Sequence, residues 1–105
     1  MFTLVRKQIR PNIEVEFFNA SKCSAVTLEV KDYLDNQYKR TGKMISSDTV
    51  FTENGLESIT TIVWDSRDSF LEYLCDPIIA DGLNEHSKLY NKKHNIKSSI
   101  SVGGN

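Results

Sequence analysis

His86 is the side chain in this sequence best suited to chemistry near neutral pH. It falls on an apolar stripe, Ile79, Leu83, His86 and Tyr90, spaced like one face of a helix. An imidazole there can take or give a proton. The structural alternative is a core histidine bonded to a carbonyl or to Tyr90. Trp64 ends an apolar run, VW, so its indole either lines a cavity under a helix or fills the core. His94 belongs near a helix end, where it can meet terminal carbonyls. The two histidines are eight residues apart, and no third ligand has a fitting spacing, so no metal site is expected. Cys23 and Cys75 stand outside any CxxC or metal-ligand spacing. They read as two reduced thiols packed at apolar helical positions. No glycine-rich phosphate loop is present, and no Ser-His-Asp or Cys-His pairing can be drawn. The expectation is chemistry without a cofactor, if there is chemistry.

The whole-chain numbers narrow the classes. One hundred and five residues make a single domain spanning 1–105. Thirteen basic and 14 acidic residues leave a net charge of -1, so no overall field draws the chain to nucleic acid or an anionic membrane. Lys88, Lys92, Lys93 and Lys97, with Tyr90 nearby, form a small basic patch. Nucleic-acid binding would want more charge and stacked aromatics on a sheet, so this reads as a solvated helix face. No apolar run approaches the ~20 residues of a membrane helix. MFTLVRKQIR lacks a signal peptide's apolar core, so the expected location is cytoplasmic.

Those candidates must be held by a small set of elements. Thr3 to Arg10 alternates as a strand, with Val5 and Ile9 on one side and Leu4, Arg6 and Gln8 on the other. Pro11 ends the pairing. Ile13, Val15 and Phe17 alternate with Glu14 and Glu16, which predicts a second extended piece past a kink or along an edge. A helix follows, capped by Ser21 or Ser24 and carrying Val26, Val30, Tyr33, Leu34, Gln37 and Tyr38 at helical spacing. Gly42 fits its left-handed end. Asn54-Gly55 predicts a two-residue hairpin turn with positive φ at both positions. That register sets Phe51 opposite Ser58, Ser47 opposite Ile62, Ile45 opposite Trp64, Val50 opposite Ile59 and Ser46 opposite Val63. Asp65 or Ser66 caps a short helix, 66–75, with Phe70, Leu71 and Leu74 inside. Asp76-Pro77 starts another that runs to about Asn95, with Gly82 as a thin spot. Ile96 to Val102 alternates as a last strand, and Gly103-Gly104-Asn105 reads as a frayed tail.

Strand, helix, strand, strand, helix pair, strand is the split β-α-β order. It predicts an α+β, ferredoxin-like domain: a four-stranded antiparallel sheet with helices on one face. Both sides of the hairpin mix large apolar residues with Ser and Thr, where a half-solvated sheet would divide more cleanly. The helices can cover one side. A second copy of the chain is the economical cover for the other, so a homodimer through the open sheet face is expected.

The segment ITTIVWDSRDSFLEYLCDPIIADGLNEH, followed by a lysine-rich helix end and a last strand, resembles the dimeric α+β barrel superfamily. It is similar in particular to the antibiotic-biosynthesis-monooxygenase-like group, where the strand-end VW, the acidic or serine cap, the F..(Y/W)L helix and the DP break recur together. The first half matches only in its order of elements. RPNIEVEFF, with TGKMIS and VWDSRDSFLEYLCDP, also resembles small uncharacterised proteins encoded by tailed phages.

The family resemblance implies a dimeric barrel and, for an enzyme, oxidation of a small aromatic molecule by O₂ without metal or flavin. It implies that Trp64 and Tyr73 hold the substrate, with Leu83 and Tyr90 beside them. His86 or Arg6 would then handle the proton or the oxyanion, and the Tyr73 hydroxyl could donate a hydrogen bond. Haem-degrading relatives carry a tryptophan where this chain has Tyr73, a histidine ligand where it has Leu83, and an asparagine where it offers Arg6 or Lys7. All three departures argue against haem. The competing expectation is a non-catalytic structural or partner-binding dimer, in which Trp64, Tyr73 and His86 themselves fill the space under the second helix.

Overall fold

The computed structural model describes residues 1–104. Four strands, β1 (Phe2–Ile9), β2 (Met44–Phe51), β3 (Glu57–Trp64) and β4 (Lys97–Gly104), form one antiparallel sheet in the order β2-β3-β1-β4. Helix α1 (Leu28–Leu34) follows β1. Helices α2 (Arg67–Cys75), α3 (Pro77–Ile79) and α4 (Glu85–His94) lie between β3 and β4. This is the expected ferredoxin-like α+β architecture, with the two central strands, β1 and β3, carrying the core.

The alternation anticipated for β1 holds. Phe2, Leu4 and Gln8 turn inward to 4–6% exposure, and Val5 and Ile9 face the other side. Trp64, Tyr38, Ile79, Phe2 and Met44 close the core, with Phe70 and Tyr73 packed against them. Trp64 is 1% exposed and meets Tyr38 edge-on at 6.3 Å and Tyr73 at 5.1 Å between ring centroids. Its burial removes one of the largest apolar surfaces in the chain from water.

The hairpin keeps the predicted register and reaches it by a different turn. Only Gly55 has positive φ (74°), and Thr52 and Glu57 close a four-residue loop through the Thr52 N–H and the Glu57 carbonyl. The Asn54 side chain accepts from the Leu56 N–H at 3.0 Å, so its role is a side-chain turn bond. Two residues more in the loop on a symmetric footing leave every partner unchanged until a bulge between Met44 and Ser46 sets Met44, not Ile45, opposite Trp64. That extra residue delivers Met44 to the core and leaves Ile45 50% exposed.

Other expectations are corrected. Residues 13–17 form turns and irregular backbone, not a strand. Thr27, not Ser21 or Ser24, caps α1, its hydroxyl accepting from the Val30 N–H. Within α2 the inward residues are Ser69, Phe70 and Tyr73, while Leu71 and Leu74 are 40% and 50% exposed. Gly103 and Gly104 pair with Thr3 and Phe2 inside β4. Cys23 is half-buried beyond a 3₁₀ turn (Ala20–Lys22) and Cys75 is exposed, so neither packs at an apolar helical position; both are free thiols.

Both long helices contain a π-helical turn, Asp35–Lys39 after α1 and Ala80–Asn84 between α3 and α4. Gly82 sits in the second. A β-carbon there would lie 2.6 Å from a Val30 methyl, so the two helices cross where only glycine fits. Asp76 ties the same helices together. Its carboxylate accepts from the Tyr33 hydroxyl at 2.6 Å, from the Tyr38 hydroxyl at 2.7 Å and from the Ile78 N–H at 3.0 Å. Burial works to raise this carboxyl, but the two phenols and the backbone N–H groups of Ile78 and Ile79 outweigh it and hold it below the usual carboxylate range.

A carboxyl held low in the folded state adds stability above its unfolded pKa, and that stability drains as pH falls through the folded value. The protein should therefore lose stability in acid below about pH 4. Asp76→Ala should cost about 1–3 kcal/mol at pH 7. It should also flatten that acid limb, as read from urea midpoints across pH.

Candidate active-site cavity

The helix-facing side of the sheet is divided. At one end Phe2, Leu4, Met44 and Trp64 make core. At the other, Arg6, Gln8, Ser58 and Thr60 stand on adjacent strands, Arg6 opposite Thr60 and Gln8 opposite Ser58. Gln8, Ser58 and Thr60 are 6%, 3% and 5% exposed, an unusual set for a sheet face under helices. They are the floor of a cavity of about 720 Å³, within the range of small-molecule sites. Its roof is Leu34, Tyr73, Leu83 and Asn84, and its outer wall is the irregular chain from Glu16 to Lys22.

Local interactions hold that wall in place. Arg10 donates from Nε to the Gly55 carbonyl at 2.8 Å and from Nη1 to the Val15 carbonyl at 2.9 Å, with its guanidinium over the Phe17 ring. Phe18 packs edge-on against Tyr90, whose hydroxyl donates to the Glu16 carbonyl at 2.5 Å. Both π-helical turns also reach the cavity, one through Lys39 and the other through Leu83 and Asn84. Such turns widen a helix by one residue and recur at functional sites.

Arg6 is the electrostatic centre. It lines the cavity, its side chain makes no hydrogen bond or ion pair among the described residues, and its Nε is buried without a partner. Buried charges are normally paired. Tyr73 shares the cavity, its hydroxyl 3.4 Å from Asn84 Oδ1. Burial pushes the Tyr73 phenol above the ordinary tyrosine value, and the Arg6 charge pulls it part of the way back. Thr49 and Thr60 hydroxyls bond each other at 2.9 Å. Among the described residues no cluster of three or more His, Cys, Asp or Glu could hold a metal.

Of the residues singled out from the sequence, the structure gathers Arg6, Tyr73 and Leu83 on this cavity and leaves three off it. Trp64 lies in the core beneath, its Nε1 buried without a partner. Tyr90 braces the wall from behind. His86 is half-buried, outside the lining, and bonds neither a carbonyl nor Tyr90. His94 meets the Tyr90 ring at 4.3 Å and not the terminal carbonyls. Gln8, Ser58, Thr60, Phe17, Phe18 and Asn84 escaped notice. The mixture of Ser and Thr with large apolar residues was their signal, read from the sequence only as a reason for the open face to meet a twin.

No family model and no curated protein matches this sequence. Solved structures do match its shape. A dimeric ferredoxin-like protein from an uncultured marine organism superposes with a TM-score of 0.64 at 18% identity, over 100% of this chain and 94% of that one. SnoaB, a cofactor-independent oxygenase from Streptomyces nogalater, gives 0.56 at 12% identity over 99% and 91%. An antibiotic biosynthesis monooxygenase gives 0.56 at 10% over 100% and 98%. The chain has the ferredoxin-like fold of antibiotic-biosynthesis-monooxygenase-like proteins. In this chain that fold carries an arginine without a side-chain partner on β1 and a polar floor beside it.

An arginine whose side chain has no partner contributes little to stability. Arg6→Met should leave stability within about 1 kcal/mol of the parent. It should also move the Tyr73 phenol to still higher pH, because the charge that lowers it is gone. Trp64→Ala should cost about 3–5 kcal/mol. Thermal melts and a spectrophotometric phenol titration of the variants check all three.

Proposed function

We propose that this protein is a cofactor-independent oxygenase of small aromatic molecules, working in the cytoplasm as a homodimer. One observation carries the reading. Arg6 and Tyr73 stand together in a cavity of substrate size, cation and phenol facing the same space. A substrate with an acidic CH₂ between two rings, an anthrone for example, loses a proton to water at the open mouth. The Arg6 charge and the Tyr73 hydroxyl hold the resulting enolate oxygen. The enolate gives one electron to O₂, the radicals join as a peroxide, and loss of water leaves C=O where CH₂ stood. The substrate supplies all four electrons that O₂ takes up: CH₂ plus O₂ gives C=O plus H₂O. The shape shared with SnoaB supports this chemistry.

The non-catalytic alternative requires the space under the helices to be filled. The volume above Gln8, Ser58 and Thr60 speaks against it. Leu83 on the roof is a substrate contact in this reading. Trp64 and Tyr90 support the cavity from outside it, and His86 has no part in the proton transfer.

The dimer rests on the sheet's other side. Val5, Ile59 and Val63 lie there half-buried, and Ile9 and Val50 are 40% and 60% exposed. A second copy covering that surface completes the barrel.

Oxygen uptake with a panel of anthrones and hydroquinones tests the enzyme. Arg6→Gln and Tyr73→Phe should each slow it about tenfold or more, and His86→Ala should leave it within about twofold. Rates no faster than in buffer alone would end the proposal. Sedimentation should show a dimer at micromolar concentration. Val5→Glu, which places a charge in the apolar sheet face, should yield monomers.

A further inference from the structure

The cavity carries more charge than a transient enolate needs. Four cations, Arg6, Arg10, Lys22 and Lys39, line it against one carboxylate, Glu16. Three of the cations are already occupied. Arg10 bonds two carbonyls, Lys39 lies 3.4 Å from Asp35, and Lys22 lies 4.0 Å from Glu16. Arg6, the one of the four on the sheet floor, has no partner among the described residues. An unneutralised guanidinium in a partly dry site is costly, and a bound anion offsets that cost.

The surroundings define what else the anion bears. Tyr73, Phe17, Phe18 and Phe51 line the same space, so the body of the ligand is a flat apolar ring. The side chain of Gln8, directly across from Ser58 and one inward position from Arg6, makes no hydrogen bond among the described residues. It offers two donors and an acceptor to the cavity, and Ser58 and Thr60 offer hydroxyls beside it. A planar fork of Arg6 donors matches a planar carboxylate. The 3₁₀ turn that starts at Ala20 on the wall is already capped by the Asn19 side chain, which accepts from the Ser21 N–H, so it offers a phosphate little.

We infer that the cavity selects a hydroxylated aromatic carboxylate, its carboxylate on Arg6 and its ring hydroxyls on Gln8, Ser58 and Thr60. This deepens the proposed function and rests on its cavity, but it does not depend on the oxygen chemistry. The acid is a permanent anion, present before any proton is removed from the ring system.

Calorimetric titration of the whole chain with 2,4-dihydroxybenzoate and with its neutral amide, 2,4-dihydroxybenzamide, tests it. The acid should bind about tenfold or more tighter than the amide. Arg6→Gln should bring the acid down to the level of the amide and leave the amide unchanged. Arg6→Lys should recover part of the difference, and Lys22→Gln at the mouth should change acid binding less than about threefold. Equal affinity for acid and amide, no binding of either, or an Arg6→Gln variant that binds the acid as the parent does would each overturn the inference. Oxygen uptake separates this from the enzyme reading. Selective acid binding with no oxygen consumption upholds the inference and removes the oxygenase. Equal turnover of neutral and acidic substrates removes the inference and keeps the oxygenase.

Discussion

The helix-facing side of β1 and β3 must do two incompatible things, and the fold depends on keeping them apart. A sheet face under helices is normally apolar along its whole length, because burial of apolar area is what holds the helices down. Here Phe2, Leu4, Met44 and Trp64 perform that task at one end. Arg6, Gln8, Ser58 and Thr60 occupy the same face at the other end and give the helices no apolar surface to settle on. The helices therefore anchor over the tryptophan and stand off beyond it. The cavity is the gap between anchored and unanchored ends.

That arrangement shifts stability onto a few contacts. With half of one sheet face withdrawn from the core, Trp64 and the rings around it hold a large share of the buried area, and Asp76 fixes the helices that carry those rings. The phenols that donate to Asp76 are themselves pushed upward: Tyr33 by its hydrogen bond to the carboxylate, Tyr38 first by burial and then by that bond. Folded-state phenol pKa values above the unfolded one add stability that is intact below pH 10 and is lost as pH rises through the folded values. Asp76 thus contributes at both ends of the pH range: it loses its charge in acid, and it helps hold the two phenols neutral in base.

How much of this could be read in the sequence follows from which periodicities stay regular. The strands were legible because alternation in β1 and the parity of the Asn54-Gly55 hairpin survive details of the turn. The four-residue loop replaced the two-residue one without moving a single partner until the Met44 bulge. The helices were less so. The stripe Ile79, Leu83, His86, Tyr90 assumes an unbroken period near 3.6, and the π-helical turn over Ala80–Asn84 slips that phase. Leu83 reaches the cavity and His86 does not. Tyr73 and Arg6 came from family resemblance, and no pattern within the chain pointed to them. The polar floor left a visible trace, small hydroxyl residues on a face that should be greasy, but a sheet face against a twin would leave the same trace.

The wall of the cavity explains why so much of the chain between β1 and α1 lacks regular structure. A strand over residues 13–17 would lengthen the sheet edge and leave the cavity open on that side. Instead Arg10 holds the chain against Gly55 and Val15, and Tyr90 holds it at Glu16, so that Phe17 and Phe18 close over the gap left by the helices. Every one of those tethers is a side chain bonded to a backbone carbonyl. Such bonds fix position without adding apolar area, so the wall stays in place while remaining among the least buried parts of the molecule. Lys22 and Lys39 line the same space, each beside a carboxylate, which leaves Arg6 as the unpaired cation among the lining residues described.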